Sequence, residues 1–161
     1  TEEPQRKKIL LKFSGGDYRQ LEQGRIRFHQ QNFSLEILNT SRDDGRLYEY
    51  SVTKGQEEEV WQVQLEVFEP VGDPSIRILR RELSNGSCSL SLLCTSEKGD
   101  EVSYTWEDPG NGTGGICSGN GSSLNFSYSL RDAAFGCVCS AWNPVSRRNA
   151  TFRPSRCGSE R

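Results

Sequence analysis

Cys88-Ser-Leu-Ser-Leu-Leu-Cys94, Val102-Ser-Tyr-Thr-Trp106 and Cys139-Ser-Ala-Trp-Asn-Pro-Val-Ser146 are the stretches that decide the fold. Cys94 precedes Trp106 by 12 residues and Cys139 by 45. That order belongs to a β-sandwich in which a disulfide joins two sheets and an indole packs on it. Closing a 45-residue loop contributes about 4 kcal/mol in the chain-entropy model, a large share of the stability of a small domain. The thiols therefore read as structural. A catalytic thiol needs an activating neighbour, and the single histidine, His29, lies in the other half of the chain.

Around these runs, Leu124 to Leu130, Gly136 to Trp142 and Ala150 to Arg153 give further short strands, separated by Gly, Asn and Ser clusters. No apolar pattern of helical period persists for three turns, so the fold class is all-β. Upstream, Trp61-Gln-Val-Gln-Leu-Glu-Val-Phe68 alternates apolar and polar residues, the period of a strand with one covered and one wet face. Pro70, Gly72 and Pro74 then punctuate the chain before Ile76, Ile78 and Leu79 open a new strand. This places a boundary at about 70 to 74 and gives two domains, 1–70 and 71–161, with all 6 cysteines in the second.

The 161 residues are 33% hydrophobic and 26% charged, with 20 Lys+Arg against 22 Asp+Glu. A net charge of -2 argues against a nucleic-acid protein, because too little cationic surface is available for phosphates. The longest apolar runs, such as Ile9 to Leu11, fall far short of the ~20 residues that cross a bilayer. Of 8 asparagines, seven begin an Asn-x-Ser/Thr triplet: Asn32, Asn39, Asn85, Asn111, Asn120, Asn125 and Asn149. Chance gives roughly 1.3 from this composition, and glycan attachment needs surface positions in a secreted chain. With an even cysteine count, the expectation is a glycosylated extracellular fragment, on the outer face of the plasma membrane or secreted, with its signal removed and any anchor outside these residues.

The Cys, Trp, Cys order is that of an immunoglobulin sandwich. With Val102-Ser-Tyr-Thr-Trp106, the Asn-Pro-Val-Ser run at 143–146 and the late Cys157, the second half resembles the membrane-proximal, constant-type domain of the signalling lymphocytic activation molecule (SLAM) family. The resemblance implies the bonds Cys88 to Cys157 and Cys94 to Cys139. Family members usually carry Tyr two residues before the second inter-sheet Cys, and this chain has Cys137 there. Cys117 is left to pair with Cys137, both cysteines of the Cys137, Cys139 pair lying on one strand face. Exchange of Cys139 for Cys137 stays open, since six cysteines allow 15 pairings.

The first half resembles the back part of the family's variable-type domain, through Gly24-Arg-Ile-Arg-Phe28, Ser34-Leu-Glu-Ile37, Asp44 with Tyr48, and Trp61 to Phe68. Its closing passage most resembles the small glycolipid-anchored adhesion-ligand member. This implies structural roles for Arg25 and Asp44 as an ion pair, for Tyr48 at a corner and for Trp106 on the disulfide. The match begins past the third strand, so the early strands have no counterpart. Either the chain is incomplete, or it has an unrelated N-terminal solution, or a partner supplies the strands.

Alternation directs Tyr48, Tyr50, Val52, Trp61, Val63, Leu65 and Val67 to a core and Glu49, Ser51, Thr53, Gln62, Gln64 and Glu66 outward. The resemblance makes the outward face the partner-binding surface: Leu10 and Lys12 on a Leu10 to Phe13 strand, Glu49, Ser51, Thr53, Gln62 and Gln64, and Lys54, Glu57, Glu58 and Glu59 in a loop. The other reading is an ordinary solvated sheet. His29 has no companion ligands, so no metal, cofactor or small-molecule substrate is expected. The function implied is a leukocyte adhesion or signalling ectodomain binding another SLAM-family immunoglobulin receptor, homophilic or heterophilic. A soluble or virus-encoded decoy is the alternative, and a secreted hydrolase a distant one, because no carboxylate pair stands out for acid/base work.

Overall fold

A computed structural model describes residues 3–22, 24–109, 116–132 and 135–154. Among the described residues, regular structure is strand apart from two single 3-10 turns at Arg42–Asp44 and Leu130–Asp132. The chain separates into two compact units, Thr1–Val67 and Phe68–Arg161.

The second unit is a two-sheet sandwich. One sheet holds β7 (Ser75–Ser84), β8 (Ser87–Thr95) and β11 (Ser123–Ser129) in the order β11-β8-β7. The other holds β9 (Ser103–Glu107), β10 (Gly119–Asn120), β12 (Cys137–Asn143) and β13 (Ser146–Phe152) in the order β10-β9-β12-β13. All neighbouring strands are antiparallel. Strand β8 shows why the sequence folds this way: Cys88, Leu90, Leu92 and Cys94 are buried while Ser89 faces water, the two-residue period of a half-covered strand.

The core joins the sheets through sulfur. Cys94 bonds Cys139 from β8 to β12, and Trp106, opposite Cys139 on β9, is 3% exposed against that bond. Leu92 and Leu124 complete the cluster, each buried leucine contributing about 1.5–3 kcal/mol. Cys117 bonds Cys137 in the same cluster. Cys88 is also disulfide-bonded, and Cys157, its expected partner, lies outside the described residues.

The segment around the expected boundary packs into this unit, which begins at Phe68. Val71 is 3% exposed, and its N–H donates to Ser146 Oγ at 2.7 Å. Buried Asn143 donates through Nδ2 to the carbonyls of Glu69 (2.8 Å) and Asp100 (3.0 Å). Its Oδ1 accepts from the N–H groups of Val145 and Ser146 and from Ser146 Oγ. Asn143 and Ser146 thus fasten the β12–β13 turn to the start of the unit, which explains the Asn-Pro-Val-Ser run. Gly99 closes the same corner at φ +122, where a Cβ would sit 3.0 Å from Val71 Cα, so only glycine fits without a shift.

The first unit is built from three antiparallel hairpins: β1 (Leu11–Ser14) with β2 (Asp17–Gln20), β3 (Ile26–His29) with β4 (Ser34–Ile37), and β5 (Leu47–Lys54) with β6 (Glu57–Gln64). The alternating run expected as a strand from Trp61 to Phe68 is displaced: β6 starts at Glu57 and ends opposite Leu47, where β5 begins. The expected core face of this hairpin is open. Tyr50 and Trp61 are each 49% exposed and Val63 is 62% exposed, and Val52 is exposed as well, because no second sheet faces them among the described residues. Tyr48, Leu65 and Val67 are half-buried. Aromatic contacts substitute for a core, with Tyr50 against Trp61 at 5.5 Å and Phe33 against Phe13 at 5.3 Å between ring centres.

Replacing Cys94 and Cys139 together by Ala should lower the stability of the second unit by about 4 kcal/mol, and replacing Cys117 and Cys137 by about 3 kcal/mol, since the second loop is shorter. Chemical denaturation read by Trp106 fluorescence checks that order. Asn143→Ala should cost about 2–3 kcal/mol in the same assay, because it removes the amide that ties the Glu69 and Asp100 carbonyls to the β12–β13 turn.

Candidate adhesion surface

Strands β5 and β6 carry most of the residues singled out for binding. Their register places Leu47 opposite Gln64, Glu49 opposite Gln62, Ser51 opposite Val60 and Thr53 opposite Glu58. Directly opposed residues share a face of the hairpin, so Glu49, Ser51, Thr53, Glu58, Gln62 and Gln64 lie together. The other face carries Tyr48 opposite Val63, Tyr50 opposite Trp61, Val52 opposite Glu59 and Lys54 opposite Glu57.

The acidic run is therefore strand where a loop was expected. The turn is only Gly55-Gln56, with Gly55 at φ 63, and a two-residue connection leaves Lys54 and Glu57–Glu59 inside the ladder. Side-chain alternation then splits the three glutamates, Glu58 to the polar face and Glu57 and Glu59 to the aromatic one. Leu47 and Val60, both exposed, join the polar face. They were missed because a lone apolar residue among polar ones carries no periodic signal.

Leu10 and Lys12 belong to a different hairpin. Lys12 is exposed on β1 opposite Arg19. Leu10 precedes the strand, and its carbonyl accepts from the N–H groups of Leu21 and Glu22. One contact links that end of the chain to the β5–β6 face: Lys7 Nζ lies 2.7 Å from Glu49 Oε2. The Lys7 hydrogen bond holds the Glu49 carboxyl below its ordinary pKa.

Arg25 and Asp44 fix the base of the unit. The guanidinium donates to both carboxylate oxygens at 2.8 Å, and through Nη1 to the carbonyls of Leu38 and Asn39. Asp44 also accepts from the Ser41 N–H, and Tyr48 Oη donates to the Asp44 carbonyl at 2.8 Å. The Arg25 hydrogen bonds, then that from Ser41, hold the Asp44 carboxyl well below the usual carboxylate range. His29 sits exposed on β3 against Glu36 at 2.8 Å. Among the described residues no group of three or more His, Cys, Asp and Glu could hold a metal ion, and no helix is long and apolar enough to cross a membrane.

Asn32, Asn39, Asn85, Asn120, Asn125 and Asn149 are all exposed, and Asn111 lies outside the described residues. None of the six is on β1, β2, β5 or β6.

No protein-family model matches the chain. It is 34% identical over 148 residues, 91% of its length, to the signaling lymphocytic activation molecule of Canis lupus familiaris, and 34% identical over 155 residues to that of Mus musculus. The chain belongs to the SLAM family. It spans 43% and 44% of those two relatives. The human CD48 antigen is 36% identical over 85 residues, 52% of this SLAM-family chain and 34% of CD48. Among solved structures, the CD2-binding domain of CD58 aligns with 87% of the chain and 75% of its own, at a TM-score of 0.55 and 20% identity, which supports the immunoglobulin-like fold.

Because the folded Asp44 pKa is depressed, its contribution to stability is complete above the unfolded value of about 3.9 and is lost as pH falls below it toward the folded value. Asp44→Asn should therefore destabilise the first unit at pH 7, and the gap to the parent should narrow as pH drops below about 4. Thermal unfolding across that range checks it.

Proposed function

We propose that this chain is the recognition region of a cell-surface immune receptor or adhesion molecule, and that it binds another immunoglobulin-type receptor through the polar face of β5–β6, with β1 alongside. Family membership supports the coarse role. The observation that carries the finer one is the face itself: a charged and polar ladder with Leu47 and Val60 as exposed apolar positions within it, on strands without an Asn-x-Ser/Thr triplet. Specific interfaces combine such apolar anchors with a polar rim, and charge complementarity around them speeds encounter and selects partners. Lys7 holds Glu49 in place on this face, which lowers the entropy lost on binding. The role needs no cofactor and no catalysis.

Surface plasmon resonance against a panel of SLAM-family ectodomains should show weak, fast binding. Glu58→Lys should weaken it at least about tenfold, or 1.4 kcal/mol, and Val60→Ala by on the order of 1 kcal/mol. Glu57→Lys and Glu59→Lys, on the aromatic face, should have smaller effects. Binding unaffected by Glu58→Lys and Val60→Ala would move the site off this hairpin.

A further inference from the structure

Among the described residues of the second unit, three of the four outer strands carry an Asn-x-Ser/Thr asparagine within the strand itself. Asn120 lies on β10 and Asn149 on β13, the two edges of the four-stranded sheet, and Asn125 lies on β11, an edge of the three-stranded one. All three are exposed. Asn120 is opposite Thr105, Thr105 opposite Ser140 and Ser140 opposite Asn149, so Asn120 and Asn149 end a single row on one sheet face. On the other sheet, Asn125 is opposite Ser91.

The inner neighbour of two of these edges holds the asparagine in a fixed orientation. Ser140 Oγ donates to Asn149 Oδ1 at 2.8 Å, and Ser91 Oγ donates to Asn125 Oδ1 at 2.5 Å. In both cases the amide oxygen is engaged, and no described group accepts from Nδ2, the nitrogen that N-glycosylation modifies.

The fourth edge, β7, has no such asparagine inside it and is guarded differently. Its register breaks at a bulge between Ile78 and Arg80, and it carries Arg77, Arg80, Arg81 and Glu82. Bulges and charges are the usual protection of an exposed edge strand against pairing with another chain. The edges that carry the asparagines show no register break. Strand β13 approaches β7 without laddering to it, so its outer edge still needs a guard.

We propose that N-glycans at Asn120, Asn125 and Asn149 are edge guards that keep the second unit from strand-to-strand association with other copies of itself, in place of the bulge that interrupts β7. A branched, hydrated glycan on an outer strand blocks the approach of a second backbone to the unpaired N–H and C=O groups beside it.

The test uses the chain secreted from mammalian cells. Glycopeptide mass spectrometry should find all three asparagines occupied. Trimming the folded protein with an endoglycosidase that leaves one sugar per site should shift it from monomer to dimer and larger species in light scattering. Amide exchange should then slow on Ser123–Ser129 and Ser146–Phe152. Ser122→Ala, Ser127→Ala and Thr151→Ala combined, which remove the triplets but keep each asparagine, should do the same, whereas Asn32→Gln with Asn39→Gln should leave the monomer unchanged. Unoccupied sites, a trimmed protein that stays monomeric at the same concentration, or association that slows exchange on Leu47–Lys54 and Glu57–Gln64 instead would each overturn the proposal.

Discussion

The bond from Cys94 to Cys139 spans the space between the two sheets of the second unit, and the rest of that unit is arranged around it. It sets how far β8 and β12 can separate, so the side chains beside it must fill a gap of fixed width. Trp106 does so from β9, opposite Cys139, and Leu92 and Leu124 do so from the facing sheet. The indole Nε1 has no hydrogen-bond partner among the described residues, a cost accepted for packing against sulfur. Once the gap is filled, Cys117 and Cys137 meet in the same cluster.

The first unit shows what the family's text looks like without that constraint. It has no disulfide, and Asp44 is its only buried residue among those described. Its fixed point is ionic: Arg25 draws the end of β4 and the 3-10 turn at Arg42–Asp44 together, and Tyr48 ties β5 to the same carbonyl. Such a unit positions the β5–β6 hairpin through a few directional contacts, and is correspondingly sensitive to the charge on Asp44.

The legible parts of the molecule are those with short-range pattern. Leu90 and Leu92 could be assigned inward because their neighbours alternate, and Trp106 because its distances from Cys94 and Cys139 are characteristic of one architecture. Strand β10 was not legible: Gly119 and Asn120 are turn residues by composition, and only tertiary pairing with Thr105 and Trp106 makes them strand. Alternation in β5 and β6 told which residues share a face, but not whether anything covers it, so Tyr50 and Trp61 were expected inside and are open. Glu57–Glu59 were expected in a binding loop, not a strand, because an acidic run has no period, and Lys7 was passed over as one of several basic residues near the start.

The corner around Asn143 also determines how the molecule bears load. A pull transmitted along the backbone from the first unit enters the second at Phe68, and there it meets the Asn143 and Asp100 bonds to Glu69 and the Ser146 bond to Val71 before it reaches any strand. These anchors come from two parts of the sandwich, the β12–β13 turn and the loop at Asp100, so tension is divided between them. That makes the corner a mechanical clamp at the point where the chain enters the sandwich.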